Sequence, residues 1–207
     1  MSSENAKQTL HAAGRKREIL AAASRVFRRK GLHATGMRDI ATELGMHVGN
    51  LYYYFRNKEE LLAFCQEDAL AGLRALVEAA RTLDVGADQR LRYLIIGHIE
   101  LLNEIMPGSL AHLEVEALSE TWQPKIIKLR DDYEYAVRRI IVEGVETGVF
   151  RKVDPGTATL AILGALNWTV KWFRKDGEKT AAEIGSEFAD LLVGGLTLSS
   201  ESECQVH

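Results

Sequence analysis

Apolar residues recur at helical spacing along nearly the whole 207-residue chain, with no sustained period-two run bounded by turn residues. A chain patterned this way buries its apolar stripes by packing helix on helix, so the fold class is all-α. Glycine and proline divide the pattern into about nine helices. The first runs over 14–30, with Ile19, Leu20, Ala23, Val26 and Phe27 on one face, Arg25, Arg28 and Arg29 toward solvent, and Gly31 as its stop. A second covers Met37 to Leu44 and ends at Gly45; a third runs from Val48 to Phe55. Asn57 is the expected N-cap of a long helix reaching Leu83, with Glu60 completing a capping-box-like pattern. Further helices are predicted over 87–105, 109–119, 123–147, 155–175 and 180–198. Their breaks fall at Gly86, Pro107-Gly108, Pro124, Gly148, Asp154-Pro155-Gly156 and Asp176-Gly177. Residues 1–14, with Lys7 and His11, are expected to be a disordered arm, and 199–207 a disordered tail.

A net charge of −3 argues mildly against a polyanion partner until it is resolved along the chain. Residues 1–60 hold 11 Lys and Arg against 6 Asp and Glu, leaving 15 against 23 of the chain's 26 and 29, so the two parts carry +5 and −8. A small basic module joined to an acidic body points to nucleic acid as the partner of the first. No signal-like apolar segment or membrane-length apolar run is present, so the expected location is the cytoplasm, without membrane association. Cys65 and Cys204 fit neither metal nor redox spacing and read as reduced thiols; no cofactor or metal is expected.

The segment from Met37 to Phe55 sets a short helix, a glycine-containing turn and a second short helix in series, which is the helix-turn-helix arrangement that presents its second helix to the DNA major groove. Ala41, Leu44, Leu51 and Phe55 have the spacing to pack these helices together. His47, Val48, Gly49, Asn50, Tyr52, Tyr53 and Tyr54 are left facing outward, without a carboxylate among them. Asn50 can pair with an adenine edge or a phosphate, Val48 can touch a thymine methyl, Gly49 permits close backbone approach, and tyrosine hydroxyls reach phosphates. At least one of the three tyrosines is expected to serve mainly in packing. Arg38 and Lys58 are candidates to clamp phosphates on either side.

Here the chain resembles the tetracycline-repressor (TetR) family. The resemblance rests on Ile19-Leu20, Phe27, Gly31, Ala34-Thr35, Met37 to Ala41, Leu44-Gly45, Gly49 to Phe55 and Lys58 to Leu62, and it covers about residues 15–64. It implies an all-α homodimeric repressor on a palindromic double-stranded operator: a DNA-binding domain over 15–60, and a domain over 61–198 that dimerises and binds a small-molecule effector. It also implies DNA contacts from Thr35, the outward residues 47–50 and 52–54, and Lys58. Two positions depart from the family pattern: Val48 stands where lysine is frequent, and Gly36 where Thr or Ser would cap the second helix.

Small and aliphatic residues over 155–198 (Ala158, Ala161, Ile162, Leu163, Ala165 and Leu166, then Phe188, Leu191, Leu192 and Leu196) fit an intermolecular four-helix bundle or an intramolecular core equally well by periodicity; the resemblance favours the bundle. Trp168 and Trp172 share a helix face beside Lys171, Arg174 and Lys175, either as a core or dimer anchor or as the mouth of a ligand pocket. This C-terminal pattern resembles a subgroup that regulates lipid or steroid catabolism in response to acyl-CoA thioesters. Drug-like effectors of an efflux or stress regulator remain open, as does a helical binding protein that no longer binds an operator. An enzyme is disfavoured: there is no phosphate-binding glycine loop or nucleophile elbow, and His98 and His112, each with a glutamate two residues on, suit ordinary helical roles.

Overall fold

The computed structural model describes residues 2–105 and 115–197, with side chains from residue 14 onward. Among these residues there are eight α-helices: α1 Ser2–Lys30, α2 Met37–Glu43, α3 Val48–Tyr54, α4 Lys58–Thr82, α5 Ala87–Glu100, α6 Gln123–Glu146, α7 Pro155–Trp172 and α8 Ala181–Gly194. A π-helical turn, Leu101–Ile105, continues α5, and a 3₁₀ turn covers Val115–Ala117. The only β pairing among the described residues is one isolated bridge, Phe150 to Thr197. Most of the helix predicted over 109–119, the Pro107-Gly108 break, His112, Cys204 and the tail from 199 lie outside the described residues.

The chain forms two compact units: residues 1–69 with 106–127, and residues 70–105 with 128–207. The division therefore falls within α4, after Ile105 and within α6, rather than at a single cut near residue 60. The first turns of α4 belong with the first unit, and their Leu61, Leu62 and Ala63 are buried.

In the first unit, Ile19, Ala22, Ala23, Val26 and Phe27 of α1 are buried, as are Met37, Ile40 and Ala41 of α2, Leu51 of α3, and Phe55. Leu44, read as core, is only half-buried, since it lies at the C-cap where the chain leaves α2. The disordered arm expected over 1–14 is instead helical from Ser2. Ala, Gln, Lys and Leu dominate residues 6–13 and favour helix; Gly14 costs about 1 kcal/mol relative to Ala without breaking it.

Two glycines set the turns here. Gly31, at φ 82°, donates to the Phe27 carbonyl at 2.8 Å and ends α1. Gly45, at φ 61°, donates to Thr42 at 3.0 Å while Met46 donates to Ala41 at 2.9 Å, so α2 closes in a Schellman motif whose left-handed position only glycine takes without strain. The Asn57 side chain accepts the Glu60 N–H at 2.7 Å, as read from the sequence. The return bond from Glu60 goes to the Arg56 N–H at 2.6 Å, one residue earlier than in a capping box.

In the second unit α5 and α8 lie in close contact. A Cβ on Gly185 would stand 2.9 Å from the Ile96 Cα. Arg90 fastens α5 to α6 through a two-pronged pair with Glu143 at 3.0 and 2.8 Å. Asp154 caps α7 by accepting from the Thr157 N–H at 2.7 Å, and Thr180 with Glu183 forms a full capping box on α8. Helix α7 ends at Trp172 rather than near 175, because Phe173 turns to extended backbone and is buried.

Candidate nucleic-acid interface

Helix α3 is held to the first unit by Leu51, which is completely buried, and by the equally buried Phe55 just after it. The Phe55 ring meets Phe64 edge-on at 5.5 Å, and the Lys16 ammonium lies over both rings, 4.9 Å from Phe64 and 5.8 Å from Phe55. With its inner face fixed this way, α3 turns Gly49, Asn50, Tyr52 and Tyr53 to solvent, with Tyr53 85 % exposed and Tyr52 49 %. Val48 and Tyr54 are half-buried; the Tyr54 ring lies edge-on to Tyr53 at 5.2 Å, making Tyr54 the tyrosine with the greatest packing share.

His47 has a local role that the sequence reading does not assign. It is the N-cap of α3, with Nδ1 accepting from the Gly49 N–H at 3.2 Å. The ring thereby directs its other nitrogen away from the helix end. Gly36, which lacks a capping hydroxyl, is compensated by Asp39, whose carboxylate accepts the Gly36 N–H at 2.8 Å.

Thr35 requires a correction. It is 2 % exposed, and its hydroxyl donates to the Gly31 carbonyl at 2.7 Å, so it closes the α1–α2 turn from inside and offers no group to a phosphate. Turn geometry, set by the left-handed Gly31, directs the side chain inward. Arg38 is exposed at the start of α2, and Lys58 is half-buried with its ammonium 2.5 Å from the Leu32 carbonyl.

Three acidic residues of this unit, Glu43, Asp39 and Glu59, are each held by a partner outside α3. Glu43 bridges Arg25 at 3.1 Å and Arg29 at 3.0 Å, and Asp39 pairs with Lys30 at 2.5 Å, together bracing α2 against the end of α1. Hydrogen bonds from Arg25 and then Arg29 hold the Glu43 carboxyl below its ordinary range, and those from Lys30 and the Gly36 N–H do so for Asp39. Both groups are more acidic folded than unfolded. Their contribution is therefore present at neutral pH and is lost as the pH falls through the depressed range. Glu59 is occupied by the Ser119 N–H at 2.8 Å. The result is a surface of imidazole, amide, hydroxyl and aromatic groups over 47–54 with no carboxylate on α3 itself.

Of the residues read as a ligand-pocket mouth, Trp168, Lys171 and Trp172 stay together on α7, and Arg174 does not join them on the helix. Trp168 is 62 % exposed and Trp172 44 %, so neither is core of this chain; Lys171 is exposed, and Arg174 lies beyond the helix, turned onto Asp176 at 2.9 Å. Burial of Phe173 takes Arg174 off the face it would share with the tryptophans. An apolar groove of about 380 Å³, which sequence reasoning missed, lies instead between α4 and α5, lined by Ala75, Leu76, Tyr93, Ile96, Leu101 and Ile105 among others. Its two walls are contributed by helices whose stripes read simply as core, and no local pattern marks the gap between them.

His98 is fully buried, its Nδ1 2.8 Å from the Tyr133 hydroxyl and its Nε2 3.2 Å from the Asn167 Oδ1, a satisfied core histidine. Burial pushes the Tyr133 phenol well above its ordinary range. Cys65 is likewise buried, its thiol pushed up to about 12 by desolvation. No group of three or more potential metal ligands occurs among the described residues, and no described helix is long and apolar enough to cross a membrane.

Comparison with known proteins gives matches over both units. Residues 19–64 match the family model for bacterial regulatory proteins of the tetR family, and 84–196 that for the tetracyclin repressor-like C-terminal domain. The HTH-type transcriptional repressor KstR2 of Mycobacterium tuberculosis is 27% identical over 187 residues, 88% of this chain and 93% of that protein. Among solved structures, the TetR family transcriptional regulator PfmR from Thermus thermophilus is 38% identical with a TM-score of 0.78, covering 87% of this chain and 99% of that one. AibR, solved in complex with isovaleryl coenzyme A and operator DNA, is 26% identical with a TM-score of 0.75, covering 88% and 98%. The chain belongs to the TetR family of DNA-binding transcriptional regulators and is not an enzyme.

Proposed function

We propose that the protein is a homodimeric repressor that reads a palindromic operator through α3 and leaves it when a coenzyme A thioester binds the second unit. The observation that carries the DNA-reading part is the carboxylate-free outer face of α3, set on the buried Leu51 and Phe55. In this reading Asn50 and Tyr52 reach base edges or phosphates, Tyr53 and Arg38 reach phosphates, and Gly49 lets the backbone approach. His47 contributes by capping α3 as well as through its outward nitrogen, while Val48 and Tyr54 make apolar contacts at the margin. Lys58 stands at the edge of the same surface.

Dimerisation is supported by apolar residues left on the outside of the last two helices: Leu160, Trp168 and Trp172 on α7 and Leu191 on α8 are all exposed. Their partners in periodicity, Ile162, Leu166 and Val193, are buried within the chain, so each helix has two apolar faces and one of them lacks cover. The tryptophans accordingly serve the dimer better than a pocket.

The effector reading draws on AibR, whose structure holds isovaleryl coenzyme A, and on the apolar groove between α4 and α5, which suits an acyl chain. Fluorescence anisotropy of the protein on labelled DNA from upstream of its own gene tests it. Micromolar acyl-CoA is expected to release the DNA, whereas complexes unmoved by a panel of short-, medium- and long-chain acyl-CoAs would sink the effector assignment and leave operator binding standing.

A further inference from the structure

We propose that the cleft between the last turn of α4, the first turn of α5 and the middle of α6 binds the phosphate groups of an adenine nucleotide or of a ligand carrying one. The cleft measures about 480 Å³ and its lining includes three arginines, Arg81, Arg90 and Arg139, with Tyr135 and one carboxylate, Glu143. All of these lie in the second unit, within the part of the chain that carries −8. Three guanidinium groups around one hollow run against that background charge.

The three arginines are not equivalent. Arg90 is the fixed wall: only 19 % of its side chain is exposed, two of its nitrogens hold Glu143 at 3.0 and 2.8 Å, and Nε donates to the Val85 carbonyl at 3.0 Å. That arrangement neutralises the cleft's only lining carboxylate. Arg139 is exposed and has no carboxylate partner among the described residues. Among the described residues Arg81 pairs with Glu78, at 3.7 Å and with both side chains about two-thirds exposed, a contact loose enough to yield to a better anion. Two forked guanidinium groups thus stand ready at the mouth, with the planar geometry that takes phosphate oxygens two at a time.

Tyr135 defines the ligand more narrowly than charge alone. It is 60 % exposed and precedes Arg139 by one helical turn, so an aromatic ring stands beside the phosphate-seeking arginine on the same face of α6. A simple inorganic anion has no use for that ring, whereas a purine can stack on it. The combination of arginine fork and open aromatic ring matches a nucleotide diphosphate, and coenzyme A carries one. That natural source rests on the effector reading above; the site itself does not.

Isothermal titration of the full-length protein with ADP, pyrophosphate and free coenzyme A tests the proposal in wild type, Arg139→Ala and Tyr135→Ala. Both residues are exposed, so the variants are expected to fold and to keep their operator affinity. Arg139→Ala is expected to weaken all three probes at least tenfold; Tyr135→Ala is expected to weaken ADP and coenzyme A while leaving pyrophosphate unchanged. Equal binding by wild type and both variants, or no binding to wild type at millimolar concentration, would overturn the site. If ADP, pyrophosphate and coenzyme A bind wild type and Arg139→Ala equally while acyl-CoA still releases the operator, the site is refuted and the effector reading stands. If coenzyme A binds through Arg139 but no acyl-CoA releases the operator, the site stands and the effector reading falls.

Discussion

Replacing Phe55 by alanine is expected to destabilise the first unit by about 3–5 kcal/mol, the range for truncating a fully buried aromatic ring. Phe55 has no exposed surface, and its loss would remove both the floor beneath α3 and the edge contact with Phe64 that Lys16 covers. Against a typical stability of about 5–15 kcal/mol this is a large fraction. The melting temperature should fall by roughly 6–20 °C for a chain of this size, with operator binding lost in parallel. Calorimetry and circular dichroism check the first part. A variant melting within a degree or two of wild type would mean that Phe55 does not support α3 as described.

The second large effect concerns the other unit. Gly185 lets α8 approach α5 until a Cβ would sit 2.9 Å from the Ile96 Cα and 3.3 Å from its carbonyl oxygen. Those neighbours are backbone, so they cannot rotate aside. Gly185→Val should force the two helices apart at a cost of about 3 kcal/mol, the upper part of the range for overpacking a tight contact. Denaturant unfolding measures it, and a neutral or stabilising result would show that α5 and α8 do not pack this closely. Because the disturbance lies in the second unit, intrinsic recognition by α3 should survive in whatever fraction remains folded.

Much of this molecule is legible in its sequence, and the reasons differ by feature. Gly31 and Gly45 mark their turns because left-handed backbone selects glycine directly. The buried faces of α1 and α3 follow from spacing alone, as Ile19, Val26, Phe27 and Leu51 show. Thr35 escapes a sequence reading because a hydroxyl's direction depends on how the turn closes, which is a tertiary matter. Capping by His47 and by Asp39 is visible only once the backbone is in place, since neither residue follows the commonest capping pattern. The periodicity carries α7 too far because burial of Phe173 outweighs the continued helical spacing of its neighbours. The α4–α5 groove and the arginine cleft are each assembled from more than one helix, and no local periodicity encodes them.

The central claim is that α3 reads DNA through Asn50 and Tyr52 on a surface without carboxylates. Its most direct test is anisotropy on labelled upstream DNA for wild type, Asn50→Ala and Tyr52→Ala across a salt series. Each substitution is expected to weaken specific binding by about 1–3 kcal/mol, roughly 5- to 150-fold, with wild-type affinity falling steeply as salt rises. Folded variants that bind as tightly as wild type would contradict that claim, as would wild-type binding that is weak and indifferent to DNA sequence.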